Sequence, residues 1–357
     1  MTVFFYSSIV FVSIYFFYID QITREKYQTH LILILFIFLI IITSFRWEVG
    51  GDWASYYLLS KLEYSEYLNR ISWSPVFVTI NYVSSKVGLG IFGVNLFVSI
   101  FLFFSFYLFS KTFNLNILLL LPILITVIYV LVLMGYVRQC LALSFFFLFL
   151  QSLKEGNIFK SCIILVFGGM SHVTILFFFP IILPLIQKKI FYGVKALAFF
   201  LITISILIFY LFLNFNDIYT SYGIFVRGSQ YTSEGVIFRF IPSICVAIYF
   251  IYFKKEIMRK YLYLNFFFNF SFFIIIIFSG LILFGNNLST LVDRLSIYNF
   301  AFYSIIISTV YKILKDKNKN FHILFISFVY SLHLTLFLSW LILGDYSVFW
   351  TNYNFLQ

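Results

Sequence analysis

Charge-poor runs of roughly 20 apolar residues follow one another along almost the whole chain, and each is long enough for an α-helix to cross the hydrocarbon core of a bilayer. Hydrophobic residues make up 62% of the 357 positions and charged residues only 10%, whereas water-soluble domains carry about 25% charge. The composition therefore excludes a water-soluble fold. We predict an all-α protein, a polytopic transmembrane helix bundle of about 11–12 spans, with residues 1–357 in a single integral membrane domain.

Ten of the runs are predicted to cross the membrane as single helices, because each has the required length and almost no charge inside it. They are Thr2–Ile19, Thr29–Phe45, Ile91–Ser110, Ile117–Met134, Gly135–Leu153, Val194–Leu213, Val236–Phe253, Leu264–Phe284, Leu295–Tyr311 and Phe321–Leu343.

The run Ser161–Ile186 is too long for one span, since a continuous helix at 1.5 Å per residue would measure roughly 39 Å. Gly168-Gly169 and Ser171-His172 interrupt the run, and two prolines follow them. Glycine pairs and prolines interrupt helices. We therefore predict a broken helix hairpin, in which two short helices meet near His172.

Lysine and arginine orient the spans, because short cytoplasmic loops carry the excess of both residues. With the hairpin in place, six cytoplasmic loops hold 16 of the 24 basic residues. A single span instead of the hairpin would move the last two loops outside. The external side contains the loop 46–90, with an amphipathic helix predicted in Val76–Gly90, and the loop 214–235. The six cytoplasmic loops are Asp20–His30, Lys111–Asn116, Lys154–Lys160, Gln187–Lys195, Lys254–Lys260 and Lys312–Asn320.

The net charge of +11 does not indicate a nucleic-acid partner, because the basic residues lie in short loops between apolar runs and not on one charged surface. The expected surroundings are membrane lipid. The three cysteines each lie inside an apolar run and are widely spaced, which argues against a disulfide framework or a metal site. We predict no cofactor and no metal.

Arginine and lysine are sorted by side of the membrane. Six of the eight arginines but only two of the sixteen lysines fall on the predicted external side. The planar guanidinium matches phosphate oxygens with two parallel hydrogen bonds, whereas lysine acts as a point charge. An external arginine cluster therefore suits a diphosphate.

Arg138 is the most informative of these arginines, because it interrupts an uncharged run and an arginine at membrane depth costs on the order of 2.5–3.5 kcal/mol. The chain is predicted to turn near Gly135, which places Arg138 and Gln139 just under the external surface. Arg239 and Arg294 begin or precede spans at the same boundary and are predicted to converge with Arg138. The alternative for Arg138 is snorkelling to lipid headgroups or a structural ion pair with an acid such as Asp293.

The first external loop begins where a span emerges, and it combines glycines, carboxylates and aromatic rings. Gly50-Gly51 allows a sharp turn and a close approach of the backbone to a ligand. Asp52 supplies a carboxylate beside Trp53 and Tyr56, whose rings can stack on sugars. The alternative is an interfacial aromatic belt with a salt-bridged turn.

His172 lies at the predicted helix break, where non-helical backbone lines polar cavities in membrane proteins. A titratable ring in that position is a candidate general base. The alternative is a histidine that bonds a helix end or Ser171.

Taken together, these short motifs resemble the EpsG-like branch of the Wzy-type O-antigen and capsule polymerases over about two thirds of the chain. The motifs are Phe45-Arg46, Gly50, Asp52-Trp53, Tyr56, Arg138-Gln139 with Ala142, Ser171-His172, and Arg294 with Tyr298. The resemblance implies a glycosyltransferase in the bacterial cytoplasmic (inner) membrane. It would move a growing chain from one undecaprenyl diphosphate to the non-reducing-end sugar of another undecaprenyl-diphosphate-linked oligosaccharide, at the external face. A chain-length regulator is a candidate partner.

Such a transfer needs cations for a departing diphosphate, a base for the acceptor hydroxyl and an aromatic cleft for sugars. The catalytic candidates are Asp52, His172 and Arg138, with either Asp52 or His172 accepting the hydroxyl proton. Arg46 would hold the Gly50-Gly51 loop or bind the second diphosphate. The substrate-binding candidates are Arg46, Trp53, Tyr56, Gln139, Arg239, Arg294 and Tyr298.

A lipid-linked oligosaccharide flippase is the main alternative function. It would share the membrane location and the cationic residues, but polar residues should then line a central cavity between repeated halves. No such repeat is visible in the sequence. A membrane acyltransferase and a purely structural assembly subunit are further alternatives. The sequence leaves open whether the polymer is O-antigen, capsule or exopolysaccharide.

Overall fold

The computed structural model describes residues 2–23, 26–63, 65–67, 74–182, 236–261, 265–284, 289–317, 320–344, 347–351 and 354–355. Its α-helices are α1 (Thr2–Ile22), α2 (Gln28–Ser44), α3 (Trp53–Leu59), α4 (Pro75–Lys86), α5 (Gly90–Thr112), α6 (Ile117–Leu124), α7 (Val137–Lys154), α8 (Ile158–Ser171), α9 (Val236–Tyr252), α10 (Lys254–Lys260), α11 (Asn265–Phe284), α12 (Ser289–Ser296), α13 (Asn299–Lys317), α14 (Phe321–Leu343) and α15 (Val348–Thr351).

Three shorter features complete the described chain. A π-helix, Ile125–Leu133, continues α6, and a 3-10 helix, Val173–Ile182, follows α8. Strands β1 (Arg46–Trp47) and β2 (Asn354–Phe355) form an antiparallel pair of two residues each.

The described helices form an all-α polytopic membrane bundle, as the sequence predicts. Within the described ranges, five helices are long and apolar enough to cross a bilayer, and shorter apolar helices accompany them. The predicted span Val194–Leu213 and the predicted loop 214–235 lie outside the described residues. The five long helices are Val3–Ile22, Gly90–Thr112, Val137–Lys154, Val292–Lys317 and Phe321–Leu343.

The centre of the bundle is the continuous helical segment made of α6 and the π-helix. Every residue of α6 is buried, and so is nearly every residue of the π-helix. By contrast, α2 buries one apolar face that includes Leu35 and Leu39, while Ile34 and Phe38 on its other side are 56% and 45% exposed. A helix that is apolar on both faces is stable where lipid covers the exposed one.

Contacts join the predicted cytoplasmic loops at one end of the bundle. The Lys154 ammonium donates to the Thr112 carbonyl, and the Lys315 ammonium donates to Gln21 Oε1 at 3.2 Å. Lys317 and Glu256 lie 3.8 Å apart. The Lys312 ammonium donates to the Asn114 carbonyl. Five of the six loops therefore meet at this end. The sixth, Gln187–Lys195, lies outside the described residues. The last two of these loops, which contain α10 and the end of α13, lie at the same end as the earlier ones. This agrees with a hairpin in Ser161–Ile186, because a single span there would put the last two loops at the opposite end.

The predicted hairpin is present. Helix α8 ends at Ser171, His172 is extended with φ −159° and ψ 124°, and the 3-10 helix packs back against α8. A Cβ on Gly169 would lie 2.6 Å from Leu176 Cδ2, and one on Gly168 would lie 2.6 Å from Ile175 Cδ1. The two glycines therefore permit the close packing of the hairpin's arms.

The first external loop contains two helices, α3 and α4. Helix α4 matches the helix that was predicted in Val76–Gly90, and it begins with Pro75 at a position that favours helix initiation. It buries Phe77 and Val78 and packs against α5 and α8. Residues 64 and 68–73 of this loop, including Arg70, lie outside the described residues. The loop thus brings α3 and α4 to the end of the bundle opposite the basic loops.

Candidate functional site

The turn before α3 and the turn before α7 meet at the end of the bundle opposite the basic loops, and glycine allows their contact. Gly50 has φ +105°, which L side chains rarely adopt, and a Cβ on it would overlap the carbonyl oxygen of Met134. The Asp52 amide donates to the Gly135 carbonyl at 3.3 Å. The turn before α3 and the turn before α7 are therefore packed backbone to backbone. This contact brings Asp52 beside the first turn of α7, which carries Arg138 as predicted.

Asp52, Tyr56 and Arg138 form a chain of polar contacts. The Tyr56 hydroxyl donates to Asp52 Oδ2 at 2.9 Å, and Arg138 Nε donates to the Tyr56 oxygen at 3.4 Å. The guanidinium carbon lies 5.7 Å from the centre of the Tyr56 ring. Burial, and next the Asp52 charge, raise the pKa of Tyr56 well above its usual value. Tyr56 therefore stays protonated and keeps donating to the carboxylate.

The chain of contacts lines a cavity of about 250 Å³ between α3, α4 and the start of α7. Its polar lining residues are Asp52, Ser55, Tyr56, Ser74 and Arg138. Its apolar lining residues are Leu58, Leu59, Leu62, Phe77 and Val78. Such a cavity suits a ligand with a charged end and a hydrocarbon end.

The hairpin break lies next to this cavity. Ser74 Oγ, on the cavity wall, donates to the Ser171 carbonyl at 2.8 Å. The neighbouring His172 bonds Thr174 Oγ1 through Nδ1 at 2.7 Å, and Thr174 Oγ1 lies 3.0 Å from the Tyr298 hydroxyl. His172 is not among the side chains that line the cavity.

Arg294 is brought to the same region by Gln139. The Gln139 amide donates to the Arg294 carbonyl at 2.6 Å, which ties the first turn of α7 to α12. The positive charges of Arg294 and Arg138 both act on the His172 ring. The predicted convergence of Arg138, Arg239 and Arg294 stays a prediction, because the Arg239 side chain lies outside the described part of the chain. Gln139 has a backbone partner, and Tyr298 is fully buried.

Arg46 and Trp53 lie behind the loop and do not line the cavity. Arg46 is 1% exposed and donates to the Leu133 carbonyl at 2.9 Å and to Asn95 Oδ1 at 3.1 Å. These bonds fit the first of its two predicted roles, which is to hold the Gly50-Gly51 loop. Trp53 stacks on Tyr57 with ring centres 5.0 Å apart.

Some of the predicted residues fall outside what the structure describes. Arg239 lies in the first turn of α9, which packs against α12, but its side chain is outside the described part of the chain. Arg227 lies outside it entirely. Among the described residues, no group of three His, Cys, Asp or Glu side chains is placed to hold a metal ion.

Two parts of this region were not predicted as site residues from the sequence. They are Ser74 and the tail that follows Gly344. Ser74 precedes Pro75, and this Ser-Pro pair was an available signal for a helix start at the site. Strand β2 of this tail pairs with β1, and Trp350 of the tail is buried, with 2% exposure. No local pattern predicts a two-residue strand pair between segments so far apart in sequence.

Comparison with known proteins identifies the family. The profile of the EpsG family matches residues 29–355, which run from α2 to β2 and include every candidate residue named above. No curated protein and no solved structure matches the chain. The resemblance read from the short motifs is thereby confirmed over nearly the whole sequence. The chain belongs to the EpsG family, and it is a bacterial membrane protein related to polysaccharide synthesis.

Proposed function

We propose that this protein is a polysaccharide polymerase that joins undecaprenyl-diphosphate-linked oligosaccharide repeats at the external face of the bacterial cytoplasmic membrane. The observation that carries the proposal is the chain of polar contacts between Asp52, Tyr56 and Arg138 on the wall of a cavity that both polar and apolar side chains line. Membership of the EpsG family also supports a role in polysaccharide synthesis in a membrane.

The leaving group of this reaction is a diphosphate, and arginine is the side chain that best opposes its charge. In the transfer, a bond forms between an acceptor hydroxyl oxygen and the anomeric carbon of the donor sugar. The bond from that carbon to the diphosphate oxygen breaks, and negative charge develops on the diphosphate. Fixed cations aimed at developing charge lower the barrier in a site that excludes water. Arg138 on the cavity wall, with Arg294 near His172, supports this role.

The acceptor hydroxyl must lose a proton as the new bond forms, and Asp52 is our candidate acceptor for it. Asp52 lines the cavity together with Arg138, whereas His172 does not. The bond from Tyr56 fixes the orientation of the Asp52 carboxylate. Positioned carboxylates act as general bases in group transfer. His172, bonded to Thr174, is then part of the support around Arg138 and Arg294.

The apolar part of the lining supports a lipid-linked substrate. Leu58, Leu62 and Phe77 line the same cavity as the charged groups. A sugar diphosphate alone would gain nothing from such a wall, but the first isoprene units of a polyprenyl carrier would be removed from water there. The cavity therefore suits the junction between a diphosphate and its lipid.

The proposal is tested with cells that lack this gene, complemented with the wild type, Arg138→Ala or Arg259→Ala. Arg259 is the matched control, because it is exposed on α10 at the other end of the bundle. The lipid-linked glycan is resolved on a gel, and insertion is measured on the same cells. We expect single repeats in the deletion strain, a ladder with the wild type and Arg259→Ala, and no ladder with Arg138→Ala at normal insertion.

Two outcomes contradict the proposal. A ladder of normal length with Arg138→Ala would show that Arg138 is not part of the active site. Single repeats that accumulate in the deletion strain but never reach the outer face would instead identify a flippase.

A further inference from the structure

The described part of the tail, residues 347–351 and 354–355, returns to the first external loop. The Gly50 amide donates to the Phe349 carbonyl at 2.8 Å. Strand β2 pairs with β1, with Arg46 opposite Phe355 and Trp47 opposite Asn354. The tail therefore fixes the backbone on the approach to Asp52 from a distant part of the sequence.

One side chain of the tail, Trp350, touches both turns of the site. A Cβ on Gly135 would overlap the Trp350 ring, and a Cβ on Gly51 would lie 3.5 Å from its Cη2 atom. The indole Nε1 donates to the Val130 carbonyl in the π-helix at 2.8 Å. A single rigid ring is thus in contact with the turn that leads to Asp52 and with the turn that leads to Arg138.

Trp350 is itself held in place. It is 2% exposed, and its carbonyl accepts a hydrogen bond from the Tyr6 hydroxyl at 3.2 Å. Its ring lies edge-on to Trp340 of α14, with ring centres 5.2 Å apart. Contacts from α1 and α14 therefore fix the ring against which the two turns pack.

We infer that Trp350 is a positioning residue of the proposed polymerase, acting through Gly51 and Gly135 on Asp52 and Arg138. The inference rests on the proposed function. Asp52 directly follows Gly51, and Arg138 follows Gly135 by three residues, so a shift of either turn moves a reacting group. Displacement of a catalytic group by about 1 Å costs up to about 100-fold in rate.

The test uses the full-length protein in phospholipid nanodiscs. The probe is the lipid-linked repeat isolated from cells that lack this gene. Trp350→Ala is expected to lower kcat by about 10- to 100-fold while KM stays within about twofold, because the substrate-binding groups remain. Trp350→Phe keeps an aromatic ring and should recover part of kcat. Phe109→Leu is the control, since it also removes three heavy atoms from a fully buried aromatic side chain, which lies near the basic loops and packs on Phe113, and it should keep kcat near the wild-type value.

Hydrogen–deuterium exchange provides a readout that does not depend on activity. The Gly50 and Asp52 amides are hydrogen-bonded, so peptides that cover 46–53 should be protected in the wild type. In Trp350→Ala, exchange should rise in 46–53 and 134–138 and stay unchanged in α5. If Trp350→Ala does not accumulate, the comparison of Trp350→Phe with Phe109→Leu replaces it.

Two results overturn the inference while the proposed function stands. They are a full kcat in Trp350→Ala, and a rise in KM with unchanged kcat. A wild-type protein that does not lengthen the probe overturns the proposed function, and this inference with it.

Discussion

At the scale of single residues, the hydroxyl of Tyr56 is the atom that joins the charged groups of the site. It donates to Asp52 and accepts from Arg138, while its ring packs on Phe77 with centres 4.9 Å apart. Phenylalanine at this position keeps the ring and removes the two polar contacts. Hydrogen bonds to charged groups contribute about 1.5–3 kcal/mol each, so the site depends strongly on this one atom.

Tyr56→Phe is therefore expected to lower the rate of polymerisation by about 10- to 100-fold, at normal insertion. Because the pKa of Tyr56 is raised, the wild-type hydroxyl stays protonated through neutral and mildly alkaline solution. The deficit of the variant should be the same at every pH from about 6 to 9, below the ordinary tyrosine pKa of about 10. The measurement is the rate of ladder formation at several pH values.

Tyr57→Phe serves as the control, because Tyr57 is the next residue of α3 and its ring stacks on Trp53, away from Asp52. It should polymerise like the wild type. A deficit in Tyr56→Phe that shrinks above about pH 8 would mean that Tyr56 ionises in the wild type, contrary to its raised pKa.

The glycines illustrate what sequence can predict at this scale. Gly50-Gly51 was expected to allow a sharp turn, and the structure shows that only Gly50 has positive φ. Its close neighbour is the backbone of Met134, which lies more than 80 positions away. Residue type predicts that a chain can turn, but the partner of the turn is set by packing between helices. For the same reason the sequence left open whether Arg46 holds the Gly50-Gly51 loop or binds a diphosphate, and it did not predict the bonds from Arg46 to Leu133 and from Gln139 to Arg294.

At the scale of elements, the hairpin of α8 and the 3-10 helix depends on close contact between its arms. The space beside Gly169 is filled by Leu176 alone, since all three of its nearest neighbouring atoms belong to that side chain. Gly169→Ala should therefore destabilise the hairpin, and Leu176→Ala should leave a cavity that costs about 2–5 kcal/mol.

The double variant should be less destabilised than the sum of the two single variants, by about 0.5–3 kcal/mol, because the added methyl occupies part of the space that the leucine vacates. Thermal unfolding of the protein in detergent measures all three variants. Strict additivity of the three values would show that these two positions do not touch.

Helix positions were predictable from apolar runs, but changes inside a helix were not. The run Ile117–Met134 was predicted as one span, and the structure divides it into α6 and the π-helix. Both parts are equally apolar, so the change in hydrogen-bond pattern leaves no trace in hydropathy. Thr126 Oγ1 donates to the Ile123 carbonyl at 3.0 Å near the start of the π-helix, and Pro122 removes one amide donor just before it.

At the scale of the whole molecule, charge is separated along the axis of the bundle. The lysine-rich loops meet at one end, and the candidate site with Arg138 and Arg294 lies at the other. Short cytoplasmic loops carry the excess of lysine and arginine, so this separation of charge agrees with the predicted orientation, in which the candidate site lies at the external end.

Cysteine labelling checks that orientation. Ser55 and Lys255 are both exposed, one at the site and one in α10. A membrane-impermeant maleimide should label Ser55→Cys in intact cells and Lys255→Cys only after the membrane is permeabilised. The native cysteines Cys140 and Cys162 are buried, and Cys245, which is partly exposed, is replaced by alanine in both variants to keep the background low. The reverse pattern of labelling would place the site in the cytoplasm and remove the basis for an external polymerase.

The return of the tail to the first loop also sets an order of events during biosynthesis. Asp52, Arg138 and His172 all leave the ribosome long before Trp350, which follows the Gly50-Gly51 turn by about 300 residues and, at about 5–20 residues per second, by roughly 15–60 s. A nascent chain that has inserted every earlier helix already carries the reacting groups, yet its two turns still lack the ring against which they pack. With the proposed role of Trp350, full activity is expected only after α14 has inserted and Trp350 has packed against the two turns. An inserted chain whose synthesis stops just before Trp350 should therefore polymerise no faster than Trp350→Ala.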